Sequence, residues 1–93
     1  LDLVGREQLI QTLAGLAHDR SVPALVVVTH HLDEIPPGFT HAMLLAAGRI
    51  VAAGPIAQVL TSDRLSACFG LALDVEHRHG RWRAWATGVA EPL

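Results

Sequence analysis

Lysine is missing from this sequence altogether: its seven cationic side chains are all arginine, and against nine carboxylates they leave a net charge of -2. Without a basic stripe, a grip on the phosphate backbone of nucleic acid has little to rest on. The single cysteine, Cys68, excludes an internal disulfide. No secretory leader is visible, so the expected compartment is reducing and cytoplasmic. Long apolar runs are lacking too. The longest, at residues 24–28 and 42–47, fall far short of the ~20 residues that span a bilayer. Met43 is the only methionine and the sequence opens directly on Leu1-Asp2-Leu3, so a truncated product is expected.

What is present points to one small domain or a part of one. Hydrophobic residues make up 51% of the 93 and charged residues 17%, which excludes a disordered polar tail. Over Leu3–Ala17 the apolar positions Leu9, Leu13 and Leu16 recur at helical spacing, widened by Ile10 and Ala17. This predicts an amphipathic helix, with Asp2 as its cap. After Pro23 comes Ala24-Leu25-Val26-Val27-Val28, a β-branched run without alternation. Such a run fits a strand covered on both faces of a parallel sheet. Helix followed by buried strand is half of a βαβ unit, so the strand's parallel neighbour is expected upstream of Leu1.

Leu32-Asp33-Glu34-Ile35 predicts a turn or two of helix, stopped by Pro36-Pro37-Gly38. A hairpin is expected next, with strands at His41–Ala46 and at residues 50–53 joined by Ala47-Gly48-Arg49. Gly54-Pro55 opens a short helix ending near Leu60, and Ser62 is a candidate cap for another that Gly70 closes. A second hairpin runs from 71–77 back through 81–86 about His79-Gly80. Its register places Leu73, Val75, His77, Trp82, Ala84 and Ala86 on one face. Asp74, Glu76, Arg78, Arg81, Arg83 and Trp85 fall on the other, as in a surface hairpin lying on a core. Residues 87–93 carry no pattern and are expected to fray.

For chemistry the informative stretch is Val26-Val27-Val28-Thr29-His30, because ligands of open α/β sheets bind beyond the carboxyl ends of the strands. A neutral imidazole there can meet a phosphate oxygen or an attacking water. The bland alternative is a solvated or capping histidine at a strand end. The surroundings favour the first reading. Leu1-Asp2, the helix, the β-branched strand with Thr29-His30, the hairpin carrying Gly48-Arg49-Ile50-Val51-Ala52-Ala53-Gly54-Pro55 and the helix with Val59-Leu60 follow one another in that order. Together they resemble the end of an ABC transporter ATP-binding domain, from the D-loop to the carboxy terminus.

The resemblance implies an α/β fold: the distal part of a P-loop NTPase, with a parallel-sheet strand, helices and two hairpins, over residues 1–93. It implies that Asp2 is the D-loop aspartate at the interface between two paired ATPase domains, a role compatible with capping. It implies that His30 is the switch histidine contacting the γ-phosphate of ATP. His31 has no matching role and is expected to be exposed. The run Glu34-Ile35-Pro36-Pro37-Gly38-Phe39 is similar to the molybdate-type or iron-complex importer subgroup. ATP and Mg²⁺ as cofactors of the intact domain, a second ATPase domain and transmembrane permease subunits as partners, and a place at the inner face of the membrane are implied in turn.

The departures are as informative as the matches. Without lysine the glycine-rich phosphate loop ending in Lys and Ser/Thr is absent. So are the Walker B carboxylates, the glutamine loop and the signature segment. Leu65-Ser66-Ala67-Cys68-Phe69-Gly70 is no substitute for the last, since it lacks paired glycines. The isolated chain is therefore expected to be inactive. Two other classes stand beside this reading. One is a stand-alone interaction or regulatory module using the hairpins; the other is a weak metal-binding domain built on His77 and His79. A thiol nucleophile at Cys68 has less support, because Ala67 and Phe69 place it in an apolar helical stretch.

Overall fold

Helix α1 spans Leu3–Ala17 and starts where the sequence predicts. Asp2 is extended, and its side chain accepts the backbone N–H of Gly5 at 2.7 Å. That bond satisfies one of the donors a helix start leaves open and sets a carboxylate at the positive end of the helix dipole. The helix ends at His18, whose ring Nδ1 lies 2.9 Å from the carbonyl of Ala14. Asp19 then accepts both the amide and the hydroxyl of Ser21, a side-chain-built turn that carries the chain away from the helix axis. In the computed structural model, residues 2–87 are described.

The next stretch corrects the sequence reading. Residues 24–28 are assigned to no strand, and Val26 and Val28 are 82% and 90% exposed. A β-branched run forms a strand only when a neighbour accepts its hydrogen bonds, and among the described residues no strand pairs with it. Helix α1 departs from expectation in the same sense. Only Ile10 is buried, while Leu3, Val4, Leu9 and Leu16 remain exposed, so its apolar residues do not form one covered stripe. The expected turn at 32–35 is a single 3-10 turn over Leu32–Glu34.

The hairpins form as read, with sharper limits. β1 (His41–Ala46) pairs antiparallel with β2 (Arg49–Pro55), a longer return strand than residues 50–53. Ala47 and Gly48 make the two-residue turn, both with positive φ, 51° and 73°. That geometry matches the twist of the flanking strands. Pairing shifts between Leu44 and Leu45: Leu44 faces Ala52 and Leu45 faces Ile50, leaving Val51 unopposed as a bulge. α2 (Ile56–Val59) and α3 (Ser62–Phe69) pack against this hairpin around Leu44, Ala52, Val59, Leu60 and the fully buried Leu65. Thr61, not Ser62, caps α3, accepting from the amide of Arg64 at 3.2 Å. Ser62 instead accepts the amide of Val75. Gly70 closes the helix in the left-handed conformation, φ 67°.

β3 (Leu73–Arg78) and β4 (Arg81–Ala86) form the second hairpin about His79 and Gly80, again with both φ positive, 52° and 75°. Its apolar face is covered only in part. Trp82 is buried, with His77 stacked on it at 4.0 Å between ring centroids, whereas Ala84 and Ala86 are exposed. Residues 88–93, most of the stretch expected to fray, lie outside the described residues.

Two compact units result. Among the described residues, one joins 2–39 with His77–Arg83, and the other joins Thr40–Glu76 with 84–87. The architecture is thus α/β with two separate antiparallel hairpins. Among the described residues no helix is long and apolar enough to cross a membrane.

Candidate functional site

The first unit holds both residues singled out from the sequence. Asp2 is exposed at the head of α1, and His30 is exposed at a bend after the valine run. His30 is held out by its neighbour. The Thr29 hydroxyl accepts the amide of His31 at 3.0 Å and lies 2.6 Å from a carboxylate oxygen of Glu34 and 3.3 Å from the carbonyl of His31. One hydroxyl has one proton, and the shorter, charge-assisted contact to Glu34 takes it. The backbone then closes behind the loop, as Glu34 N–H donates to His31 C=O and Ile35 N–H to Leu32 C=O, each at 3.1 Å. Thr29 and Glu34 thus pinch a short turn with the imidazole of His30 outside it and Pro36 fully buried beneath its end.

A cluster of charges fastens this turn to the helix. Arg81 grips Glu7 with both guanidinium ends, Nη1 to Oε1 at 2.6 Å and Nη2 to Oε2 at 3.0 Å, and Nη2 also donates to the backbone carbonyl of Asp33 at 2.5 Å. Arg6 donates to the Asp33 carboxylate at 3.1 Å and lies 3.7 Å from Glu7. The hydrogen bond from Arg81 holds the Glu7 carboxyl below its ordinary range, and Glu7 in turn raises the Arg81 guanidinium. Two arginines and two carboxylates balance, so the acidic stretch beside His30 carries no uncompensated charge from Asp33.

Sequence reasoning missed this cluster. Arg81 was expected on the solvent-facing side of its hairpin; it is half-buried because Glu7 and Asp33 recruit it. The separation of 74 positions between Arg81 and Glu7 left no local pattern to find. The glutamate five residues after Thr29 could have been weighed as a partner for its hydroxyl. Between α1 and the valine run lies an open depression of about 190 Å³, lined by Leu9, Ile10, Leu13, Val27, Val28 and Thr29 among others. Among the described residues no three His, Cys, Asp or Glu side chains gather as a metal site requires. His77 is engaged with Trp82, and the Cys68 thiol lies 3.7 Å from the Leu45 carbonyl.

The chain belongs to the ABC transporter ATP-binding proteins. It is 39% identical over 75 residues to the uncharacterised ABC transporter ATP-binding protein YlmA of Bacillus subtilis (strain 168), covering 81% of this chain and 28% of that one. It is 37% identical over 65 residues to the molybdenum import ATP-binding protein ModC of Shewanella sp. (strain MR-7), covering 70% and 18%. With the hemin import ATP-binding protein HmuV of Bordetella pertussis it shares 36% over 75 residues, covering 81% and 28%. The chain thus spans between 18% and 28% of the length of these relatives. No protein-family model matches it.

Proposed function

We propose that this chain is the carboxy-terminal part of the ATP-binding domain of an ABC importer, a P-loop NTPase, and that it contributes the switch histidine and the D-loop aspartate to ATP hydrolysis that drives transport. The observation that carries the proposal is His30: an exposed imidazole on a turn shaped by Thr29 and Glu34, at the end of a valine run that pairs with no strand among the described residues. An imidazole so presented can donate one N–H to a terminal phosphate oxygen. Asp2, at the exposed head of α1, is available to a second ATPase domain while still capping its helix.

The residues of this chain do not by themselves fit ATP and Mg²⁺. One imidazole is not a cradle, and neither lysine nor a glycine-rich phosphate loop is present. In this proposal the nucleotide and metal are held by polypeptide outside this sequence, which also covers Val26, Val28 and the exposed side of α1. Permease subunits embedded in the membrane complete the importer, with the ATP-binding domain on the cytoplasmic face. The relatives named for molybdenum and hemin import support an importer whose cargo is a metal oxyanion or a metal complex.

Replacing the matched 75-residue stretch of the Bordetella hemin import protein by this chain tests the reading. The chimera is expected to hydrolyse ATP, and His30→Ala to slow turnover strongly while leaving nucleotide binding largely intact. Equal turnover with and without the imidazole would sink the assignment. The isolated chain is expected to show no tight, Mg²⁺-dependent binding of a fluorescent ATP analogue.

A further inference from the structure

Nothing in the sequence motifs gives β4 a part in the proposed chemistry, yet it reaches the turn that carries His30. We infer that Arg81 is a positioning residue for His30, strapping the 29–35 turn onto the first turns of α1; the inference rests on the reading of His30 as the phosphate-facing residue. Arg81 touches neither nucleotide nor metal in this arrangement and acts through Asp33 and Glu7.

Three observations within the first unit carry it. Arg81 makes three hydrogen bonds, two to the Glu7 carboxylate and one to the Asp33 carbonyl, so a single planar fork spans α1 and the 3-10 turn. The tip of the hairpin is seated on the same segment: a methyl group on Gly80 would lie 3.4 Å from Pro37, in ordinary contact with the ring that follows the turn. Arg6 repeats the tie from the helix side, through the Asp33 carboxylate. Glu7 lies five residues from Asp2 and Asp33 three from His30, so the fork joins the elements that present the two proposed functional residues.

The geometry also says why an arginine serves here. Glu7, Asp33 and Glu34 put three carboxylates around a turn proposed to approach a highly charged phosphate. Thr29 gives one of them a hydrogen bond but no charge, while Arg6 neutralises the second and Arg81 the third. Without Arg81, Glu7 would keep only its longer contact with Arg6. The turn would keep only the Arg6 tie to α1, and a further uncompensated negative charge would stand near the site. A lysine could neutralise Glu7 but could not hold both its oxygens and the Asp33 carbonyl with one planar group.

Amide hydrogen exchange on the 93-residue chain tests the strap without any nucleotide. The probes are the amides of Glu34 and Ile35, whose bonds close the turn, with those of the β1–β2 ladder as a control for folding. Arg81→Ala, Arg81→Lys and Glu7→Gln are each expected to speed exchange at Glu34 and Ile35 several-fold, Arg81→Lys least, while the ladder amides stay as they are. Arg20→Ala is expected to change neither set. Unchanged exchange at Glu34 and Ile35 in Arg81→Ala, with the ladder intact, overturns the inference. If Arg81→Ala unfolds the ladder as well, the milder Glu7→Gln decides by the same two readings. In the chimera, Arg81→Ala is expected to lower kcat with KM for ATP nearly unchanged, because the nucleotide grip lies elsewhere. Loosened amides combined with a silent His30→Ala variant would leave the strap standing and remove the nucleotide reading.

Discussion

Arg81 and Glu7 stand 74 positions apart in sequence and meet as a two-pronged ion pair, with contacts of 2.6 and 3.0 Å. The pair sets a pH dependence whose sign follows from Glu7. Its carboxyl is held below the ordinary value of 4.5 chiefly by the Arg81 hydrogen bond. A folded-state value lower than the unfolded one gives stabilisation that is present above the unfolded value and is lost as pH falls through the folded one. Protection of the Ile35 amide, corrected for intrinsic exchange, is therefore expected to survive down to pH 4.5 and to fade below it. In Glu7→Gln that step should be missing. Identical profiles would mean the pair does not hold the turn.

Asp2 has a structural role that can be separated from its proposed interface role. Asp2→Ala removes the bond to Gly5 and is expected to destabilise α1 by about 1 kcal/mol, seen as loss of helical circular dichroism and faster exchange at the Gly5 amide. Asp2→Asn should keep most of the cap. A chimera that loses ATPase activity with asparagine while its helix persists would assign the carboxylate charge to the interface.

Much of this was legible in the sequence, and the parts that were not share a cause. α1, its Asp2 cap, both hairpins and the Gly70 stop depend on nearest neighbours, and they appear where the local pattern puts them. Residues 24–28 did not form the expected strand, since a parallel strand exists only through a partner distant in sequence. The same reason hides the Arg81–Glu7–Asp33 cluster, which three separated segments build together. His30 was legible as exposed; that Glu34 shapes its turn was not.

The valine run gives a test of its own. Val26 and Val28 are 82% and 90% exposed, so Val26→Ser with Val28→Ser should change the unfolding free energy of the isolated chain in urea melts by less than about 0.5 kcal/mol. The same change is expected to reduce self-association in sedimentation velocity, because it removes apolar surface from a segment with open backbone groups. A large loss of stability would mean that these side chains are packed in the isolated chain.

Two hairpin turns hold non-glycine residues with positive φ, Ala47 at 51° and His79 at 52°. Left-handed geometry costs an ordinary residue roughly 1 kcal/mol, part of which glycine gives back through its freer unfolded chain. Ala47→Gly is expected to raise stability by up to about 0.5–1 kcal/mol in urea melts. At Gly38 the opposite holds. Its φ is 91°, and an added methyl group would run into the ring of His18. Gly38→Ala should destabilise by more than 1 kcal/mol, roughly, with His18→Ala restoring only the part due to the ring.

Val51 is the spare residue of the first hairpin, facing no counterpart on β1. Removing it would bring Leu44–Ala52 and Leu45–Ile50 into one unbroken series, with the Ala47-Gly48 reversal untouched. The ladder would coil less, but each flanking side chain would keep the side of the ribbon it already occupies. This is the position at which the polypeptide can shorten by one without turning its interior outward.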